Sequence, residues 1–317
     1  MNLQQLRIIR EAIRQDFNLT EVANALYTSQ PGVSKHIRDL EDELGVEIFE
    51  RRGKRLLRLT GPGQELATVV DRILVDIQNL RRIADQFANR ESGHFVVATT
   101  HTQARYKLPR IIRWFKGDYP KVHLVLHQCG PREIVEMLLA GEADIGIATE
   151  ALDGEDDLAT FPYYSWHHAV IVPQGHPLQT RGKLTLEAIG EYPVITYHAG
   201  FTGRSHIDQA FAHAGIVPDI VLSAIDADII KTYVSEGLGV GIIASMAFNP
   251  EQDRGLALLE ADDLFPLNTS RLAVRRGAWL RGYVYAFIEK LLPDLPENAV
   301  KEAVRLLRSN SSADINL

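Results

Sequence analysis

Apolar residues at Leu3, Leu6, Ile9 and Ile13 recur at helical spacing, which predicts a first helix with one buried face. Asn18 stands ahead of Leu19-Thr20-Glu21, where its side chain caps a second helix, Glu21 reaches back, and Val22, Ala23 and Leu26 turn inward. After Tyr27-Thr28 a third helix opens at Ser29-Gln30-Pro31, with proline where first-turn N–H groups lack helical partners, and runs to Leu44 before Gly45 stops it. Two helices joined by so tight a turn make a helix-turn-helix. Residues 49–60 read as two strands turning at Gly53, and Thr60 with Gly61-Pro62 starts a long helix. Its apolar positions, Leu66, Val70, Ile73, Ile77, Leu80, Ala84 and Phe87, step by four and three, which predicts a seam against another chain. From Gly93 the pattern changes. Strand-like runs at 94–99, 122–127, 143–148, 193–196, 220–223 and 240–244 alternate with helical stretches such as 131–140 and 204–214, the signature of an α/β domain.

The polar side of the third helix carries Ser29, Gln30, Ser34, Lys35 and Arg38, donors suited to base edges and phosphates, while Val33, Ile37, Leu40 and Leu44 keep an apolar spacing. Beside it Arg51, Arg52, Lys54, Arg55 and Arg58 fall in one acid-free stretch, placed to grip a nucleic-acid backbone. The net charge of −7 argues at first against such a partner. Its distribution reverses that argument, because residues 1–92 hold 14 Lys and Arg against 14 Asp and Glu, and the whole deficit lies beyond them. Pairing through the long helix would set two recognition helices on two half-sites.

The run Ala23-Asn24-Ala25-Leu26-Tyr27-Thr28-Ser29-Gln30-Pro31-Gly32-Val33-Ser34-Lys35-His36-Ile37-Arg38, continuing to Gly45 and closed by Ile48-Phe49-Glu50-Arg51, resembles the helix-turn-helix and wing of the LysR family almost position for position. The resemblance implies a bacterial transcription regulator that binds double-stranded operator DNA, works with RNA polymerase and assembles as a homodimer or homotetramer. The implied architecture is a winged helix-turn-helix at 1–60, a linker and dimerisation helix at 61–92, and an effector-binding domain at 93–317. That last domain is periplasmic-binding-protein-like and two-lobed, with lobe I at about 93–165 and 267–295 and lobe II at about 166–266. Chain crossings between the lobes are expected near 170–173 and 267–271.

In open α/β sheets a ligand sits outside the carboxyl ends of strands, where helix N-termini present their N–H groups. Three such junctions share one chemistry: Thr99-Thr100-His101-Thr102-Gln103, Ala148-Thr149-Glu150, and Phe201-Thr202-Gly203-Arg204-Ser205. Neutral donors suit sulfate, which has no proton to donate near neutral pH. These segments, together with Asp226-Ala227-Asp228-Ile229-Ile230-Lys231-Thr232-Tyr233-Val234, resemble the sulfur-assimilation branch of the family, the CysB and Cbl type. The resemblance covers roughly residues 1–295. It implies a transcriptional activator of sulfur assimilation, cysteine biosynthesis or organosulfur and sulfonate use. Its effector would be sulfate, adenosine phosphosulfate or a related small anionic sulfur metabolite, bound through Thr100, Thr102, Gln103, Thr149 and Thr202. The tail from Glu297 to Leu317 matches less well and carries no prediction.

Composition narrows the alternatives. At 317 residues, 45% hydrophobic and 24% charged, the chain suits two or three globular domains. Its single cysteine, Cys129, rules out an internal disulfide and a Cys-rich zinc site, which fits a reducing compartment. The polar-interleaved start Met1-Asn2-Leu3-Gln4-Gln5 predicts neither a signal peptide nor a membrane span, so a cytoplasmic protein is expected. An enzyme is the main rival. Ser205, His206 and Asp208 share one helix on which near neighbours point apart, so they form no relay. The glycines of Gly237-Leu238-Gly239-Val240-Gly241 follow a helix and lead into a strand, the reverse of phosphate-loop order. His123, His127, His167 and His168 show no metal-ligand spacing with carboxylates, so no catalytic residue, metal or cofactor is expected. A free-standing periplasmic binding protein would lack the DNA-binding segment.

Overall fold

The computed structural model describes residues 1–53, 55–88 and 92–305, with the backbone alone at 85–88. The chain divides into two compact units that part between Ala84 and Asp85. The first consists of α1 (Leu3–Arg14), α2 (Leu19–Ala25), α3 (Gln30–Leu44), the hairpin β1 (Phe49–Arg52) and β2 (Arg55–Leu59), and α4 (Gly61–Ala88). Leu6, Ile8, Ile9, Val22, Val33, Ile37, Leu40, Ile48 and Phe49 form its core. The capping box lies at α1, where the Asn2 side chain and Gln5 exchange hydrogen bonds with each other's backbone N–H. At α2 Asn18 accepts from the N–H of Thr20 and Glu21, and only that half of the expected box is formed. Gly45, with φ at 70°, stops α3 in the left-handed conformation that glycine adopts without strain.

The seam along α4 differs from expectation. Val70 and Leu74 are buried in this unit's own core, and Leu66, Ile73 and Ile77 pack against it. The helix therefore spends most of its four-three stripe at home, because three short helices and a hairpin need a further apolar face to close their core. What it leaves exposed is Val69 at 39% and Leu80 at 67%, eleven residues apart and so on one face. The side chain of Phe87 lies outside the described residues.

The second unit contains β3 (Gly93–Thr99), α5 (His101–Tyr106), α6 (Pro109–Asp118), β4 (Val122–Gln128), α7 (Pro131–Ala140), β5 (Ile145–Ala148), β6 (Leu158–Trp166) and β7 (His168–Pro173). It continues with α8 (Leu186–Gly190), β8 (Val194–Tyr197), α9 (Arg204–His213), β9 (Ile220–Ala224), α10 (Ala227–Ser235), β10 (Val240–Ala244), β11 (Leu256–Glu260), β12 (Asn268–Arg275), α11 (Gly282–Leu291) and α12 (Glu297–Arg305). Two five-stranded sheets result, ordered β4-β3-β5-β12-β6 and β11-β7-β10-β8-β9. Each defines one lobe. The chain passes from the first to the second at the single residue His167, between β6 and β7, and returns over 261–267 ahead of β12. The stretch 170–173, expected as a crossing, is instead inside β7, where Val170, Ile171 and Val172 are fully buried between β10 and β11.

Lobe I is centred on Phe95, Phe115 and Phe287, whose ring centroids lie 5.0–5.5 Å apart. The tail also contributes. Val300 and Val304 of α12 are buried in that core, and the Gly277 N–H donates to Val304 O at 2.7 Å. Among the described residues no helix is long and apolar enough to cross a membrane. Replacing Val300 and Val304 together by alanine trims two buried isopropyl groups to methyls and should cost about 2 kcal/mol each. Urea denaturation of the full chain reads this as a lower midpoint for the transition of the second unit, and an unchanged midpoint would mean that the tail is peripheral.

Candidate DNA-binding surface and effector cleft

In the first unit the structure puts the expected contact residues in three different situations. Lys35, Arg38, Arg52 and Arg55 are exposed, the first two on α3 and the others flanking the hairpin turn. Ser29 is the α3 N-cap and accepts from the Gly32 N–H at 3.3 Å, while Gln30 Nε2 donates to Ser34 Oγ at 3.0 Å one turn along. Arg51 is exposed as well but already paired. Its guanidinium bonds the buried Glu41 carboxylate, which also accepts from the N–H of Ile48 at 2.9 Å and Phe49 at 3.2 Å. Glu41 thereby fastens the end of α3 to the start of the wing, a role invisible in a sequence where Arg51 reads as one more basic residue. Lys54 lies outside the described residues. Tyr27, in the turn between α2 and α3, is 98% exposed with φ at 51°, an aromatic held toward solvent beside the α3 N-terminus.

In the second unit the three threonine junctions converge between the lobes. Thr102 Oγ1 on α5 of lobe I lies 3.5 Å from Thr202 Oγ1, ahead of α9 in lobe II. Thr100 is the N-cap of α5 yet makes no side-chain cap bond, so its hydroxyl is not used by its own helix. Gln103 is fixed at both ends: its Nε2 donates to Ser270 Oγ at 3.0 Å and its Oε1 accepts from Tyr164 OH at 2.7 Å. Ser270 also receives Trp166 Nε1 at 3.0 Å and lies 3.2 Å from Thr149 Oγ1. Thr100, Thr102, Gln103 and Thr202 are all buried.

Ser270, Tyr164 and Trp166 were not foreseen, since β6 and β12 approach α5 from 61 to 167 residues away. Ser270 stands in the polar first half of β12, Asn268-Thr269-Ser270-Arg271, where no local signal sets it apart.

The loop before α9 is held by a second polar group. Gly203, with φ at 70°, leaves no room for a Cβ, which would stand 2.2 Å from Asn268 Oδ1 and 2.7 Å from His168 Cε1. His168 Nε2 donates to Thr202 O at 3.1 Å and its Nδ1 accepts from Asn268 Nδ2 at 3.3 Å, a pattern that suits the neutral imidazole. Burial lowers the His168 pKa to about 4, against the hydrogen bond to Thr202. Across the cleft Glu150 accepts from the Gly203 N–H, and burial raises its carboxyl above the usual range. Further along α5, Asp228 of α10 takes Tyr106 OH at 2.7 Å, Arg105 Nε at 2.5 Å and Lys231 Nζ at 3.0 Å, a second tie between the lobes. Burial opposes ionisation of Asp228, but its hydrogen bonds with Tyr106 and Lys231 outweigh it and hold the carboxyl low.

Histidines without metal spacing in the sequence do acquire ligand neighbours through the fold: His127 with Cys129 and Glu133, and His101 with Asp226 and Asp228, each group within 4.8 Å.

A helix-turn-helix with a wing, followed by a two-lobed α/β domain whose hydroxyls meet between the lobes, defines a ligand-responsive DNA-binding regulator. The chain belongs to the LysR family: residues 3–64 match the bacterial regulatory helix-turn-helix protein, lysR family, and residues 88–296 match the LysR substrate binding domain. It is 60% identical to the HTH-type transcriptional regulator SsuR of Burkholderia cenocepacia, over 96% of this chain and 99% of that one. It is 52% identical to the CysB regulator of the same organism, over 96% and 97%, and 53% identical to the cbl regulator of Escherichia coli K12, over 96% of each. Among solved structures the cofactor-binding domain of the Cbl transcriptional regulator matches with a TM-score of 0.65 at 47% identity, covering 67% of this chain and 93% of that one. A full-length OxyR from Pseudomonas aeruginosa, 22% identical, shares the fold with a TM-score of 0.62 over 94% and 99%.

Two outcomes are expected. Glu41→Ala leaves Arg51 and two N–H groups without their acceptor, which should cost about 3 kcal/mol of first-unit stability by urea denaturation. A loss under about 0.5 kcal/mol would mean that the tie is dispensable. For His168, the unfolded chain binds a proton below about pH 6.5 and the folded chain only near 4, so this contribution is complete above 6.5 and is lost as pH falls toward 4. The second unit should therefore lose stability over that window, and His168→Gln should remove that part of the slope.

Proposed function

We propose that this DNA-binding regulator activates genes of sulfur assimilation, cysteine biosynthesis or organosulfur and sulfonate use, under control of a small sulfur-containing anion held between its lobes. Sulfate and adenosine phosphosulfate are the candidate effectors. The observation that carries this reading is the meeting of Thr102 and Thr202 from opposite lobes, 3.5 Å apart, with Thr100, Gln103 and Thr149 on the lobe I side. The set contains no carboxylate and no protonated amine, so it offers an anion hydroxyl and amide donors and offers a cation little. Similarity to the SsuR, CysB and cbl regulators supports the sulfur assignment.

An effector acts only through a difference in affinity between two conformations. Donors split between two lobes supply that difference, because an anion bonded to both favours one spacing of the lobes. On the DNA side, Lys35 and Arg38 of α3 read the site, and Arg52, Lys54 and Arg55 grip the flanking backbone. Pairing through the exposed face of α4 at Val69 and Leu80 builds the dimer, and a homotetramer of paired dimers then contacts RNA polymerase from the operator in the cytoplasm. The chain works by binding and not by catalysis.

The test is a titration of sulfate and adenosine phosphosulfate into the full chain, run beside transcription from the operator in vitro. Thr100→Ala and Thr202→Ala should each weaken binding by about 1 to 2 kcal/mol, near tenfold, and lose the effector response while keeping DNA retention. Wild-type affinity and response in both variants would contradict the pocket. Leu80→Glu should give monomers by sedimentation and lose operator retention; an intact dimer would place the pairing surface elsewhere.

A further inference from the structure

Four buried polar atoms around the Gly203 and His168 corner have no hydrogen-bond partner among the described residues: Glu150 Oε2, Asn268 Oδ1, His167 Nδ1 and His206 Nδ1. Glu150 matters most among them, because it is the one acid there and the residue after Thr149. Its other oxygen takes the Gly203 N–H across the cleft, the amide that follows Thr202 and opens the ten-residue helix α9. An anion bonded to Thr202 would compete for that amide. In this structure a carboxylate of the protein's own holds it.

The charges nearby do little to offset a second negative group. Arg204 turns to Asp208 at 2.7 Å and to Tyr197 O, Arg271 pairs with Asp153, and Arg105 pairs with Asp228. Lys107 sits 4.2 Å from the centre of the Tyr164 ring. His101 faces Gln128 and Asp228, and His168 is held neutral between Thr202 O and Asn268. His167 and His206 complete the titratable groups around the corner. A dianion placed among these hydroxyls therefore meets the ionised Glu150 side chain with no dedicated cation between them among the described residues, and like charges at close range drive one of the pair to protonate. Sulfate gains no proton in this range, so the proton goes from solvent to Glu150. A protonated Glu150 gains an O–H donor and holds the Gly203 N–H more weakly, through a neutral oxygen instead of a charged one.

We propose that Glu150 is a proton-linked gate of the effector site: its carboxylate stands in for the anion at the head of α9, and the effector binds with uptake of one proton there. This rests on the threonine pocket proposed above. It makes effector affinity rise as pH falls. Binding that consumes one proton changes affinity by at most about tenfold per pH unit.

The experiment is calorimetric titration of inorganic sulfate into the full chain between about pH 6 and 8.5, in two buffers of different ionisation enthalpy so that protons are counted. The wild type should bind more weakly as pH rises and take up close to one proton per sulfate at the alkaline end. Glu150→Gln keeps an acceptor for Gly203 and adds a neutral donor; it should bind sulfate about tenfold more tightly near pH 8 and lose both the slope and the proton uptake. Glu150→Asp retains a titrating carboxyl and should keep the uptake, as should His206→Gln. A Glu150→Gln chain that binds sulfate with the wild-type slope, or more weakly at every pH, overturns the gate. Loss of the slope in His206→Gln assigns the proton to the imidazole and overturns it as well. Sulfate binding that ignores Thr202→Ala would instead remove the pocket on which the gate depends, so the two failures are told apart.

Discussion

The close approach at Gly203 is the constraint on which the cleft depends. Both connections between the lobes end beside it, one at His167 and one at Asn268, and the loop carrying Thr202 must turn through it into α9. No Cβ fits, so the residue is glycine. Thr202 before it is left-handed too, with φ at 45°, and its hydroxyl lies 3.5 Å from that of Thr102 on the opposite lobe. His168 bonds the Thr202 carbonyl and Asn268 bonds His168, so a neutral imidazole buried beneath the loop fixes its height. A side chain at position 203, or a charge on His168, would move the one lobe II hydroxyl among the five proposed effector-binding residues.

The two lobes keep separate apolar cores, and apart from Tyr106 of α5, which packs on the lobe II core, and Phe201, which lies against Gly130, they are tied by polar groups, which gives the interface its capacity to respond. Apolar packing of this density tolerates little sliding. Hydroxyls and carboxylates can exchange partners at small cost when a competing acceptor arrives. Thr102 with Thr202, Glu150 with Gly203 and Arg105 and Tyr106 with Asp228 all cross the cleft, and two of those three contacts end on α5. That six-residue helix thus carries effector donors at one end and an ion-pair tie at the other. In the first unit the reverse holds. Glu41 locks α3 to the wing with three charge-assisted bonds, so the DNA-facing surface keeps one shape.

Much of the first unit was legible because its signals are local. Asn18, Ser29 and Thr60 announce helix starts, Gly45 announces a stop, and the basic run after Phe49 announces the hairpin. The destination of α4 was not legible, since Leu66, Val70, Ile73 and Ile77 make the same stripe whether they face another chain or their own core. Thr100, Thr149 and Thr202 were visible as residues after strands, and their convergence follows from the order of those strands in the two sheets. Ser270, Tyr164 and Asn268 were hidden for the opposite reason: they lie on strands far away in sequence, and nothing in their neighbours marks the first two as facing α5 or the third as facing His168. The Glu41 partner of Arg51 was not legible, because a basic residue beside a recognition helix looks the same whether or not it also meets a carboxylate. Val300 and Val304 were lost in a polar tail whose apolar face is only two residues wide.

The proposed effector site requires that elements from both lobes close on a single anion. Hydrogen–deuterium exchange of the full chain with and without saturating sulfate addresses it directly, because an anion held by both lobes must slow local opening at both. Added protection should appear together at the amides of 100–104 and of 202–206, with little change in β4 or α11. Protection confined to one of the two segments, or absent from both while sulfate is bound, would contradict it.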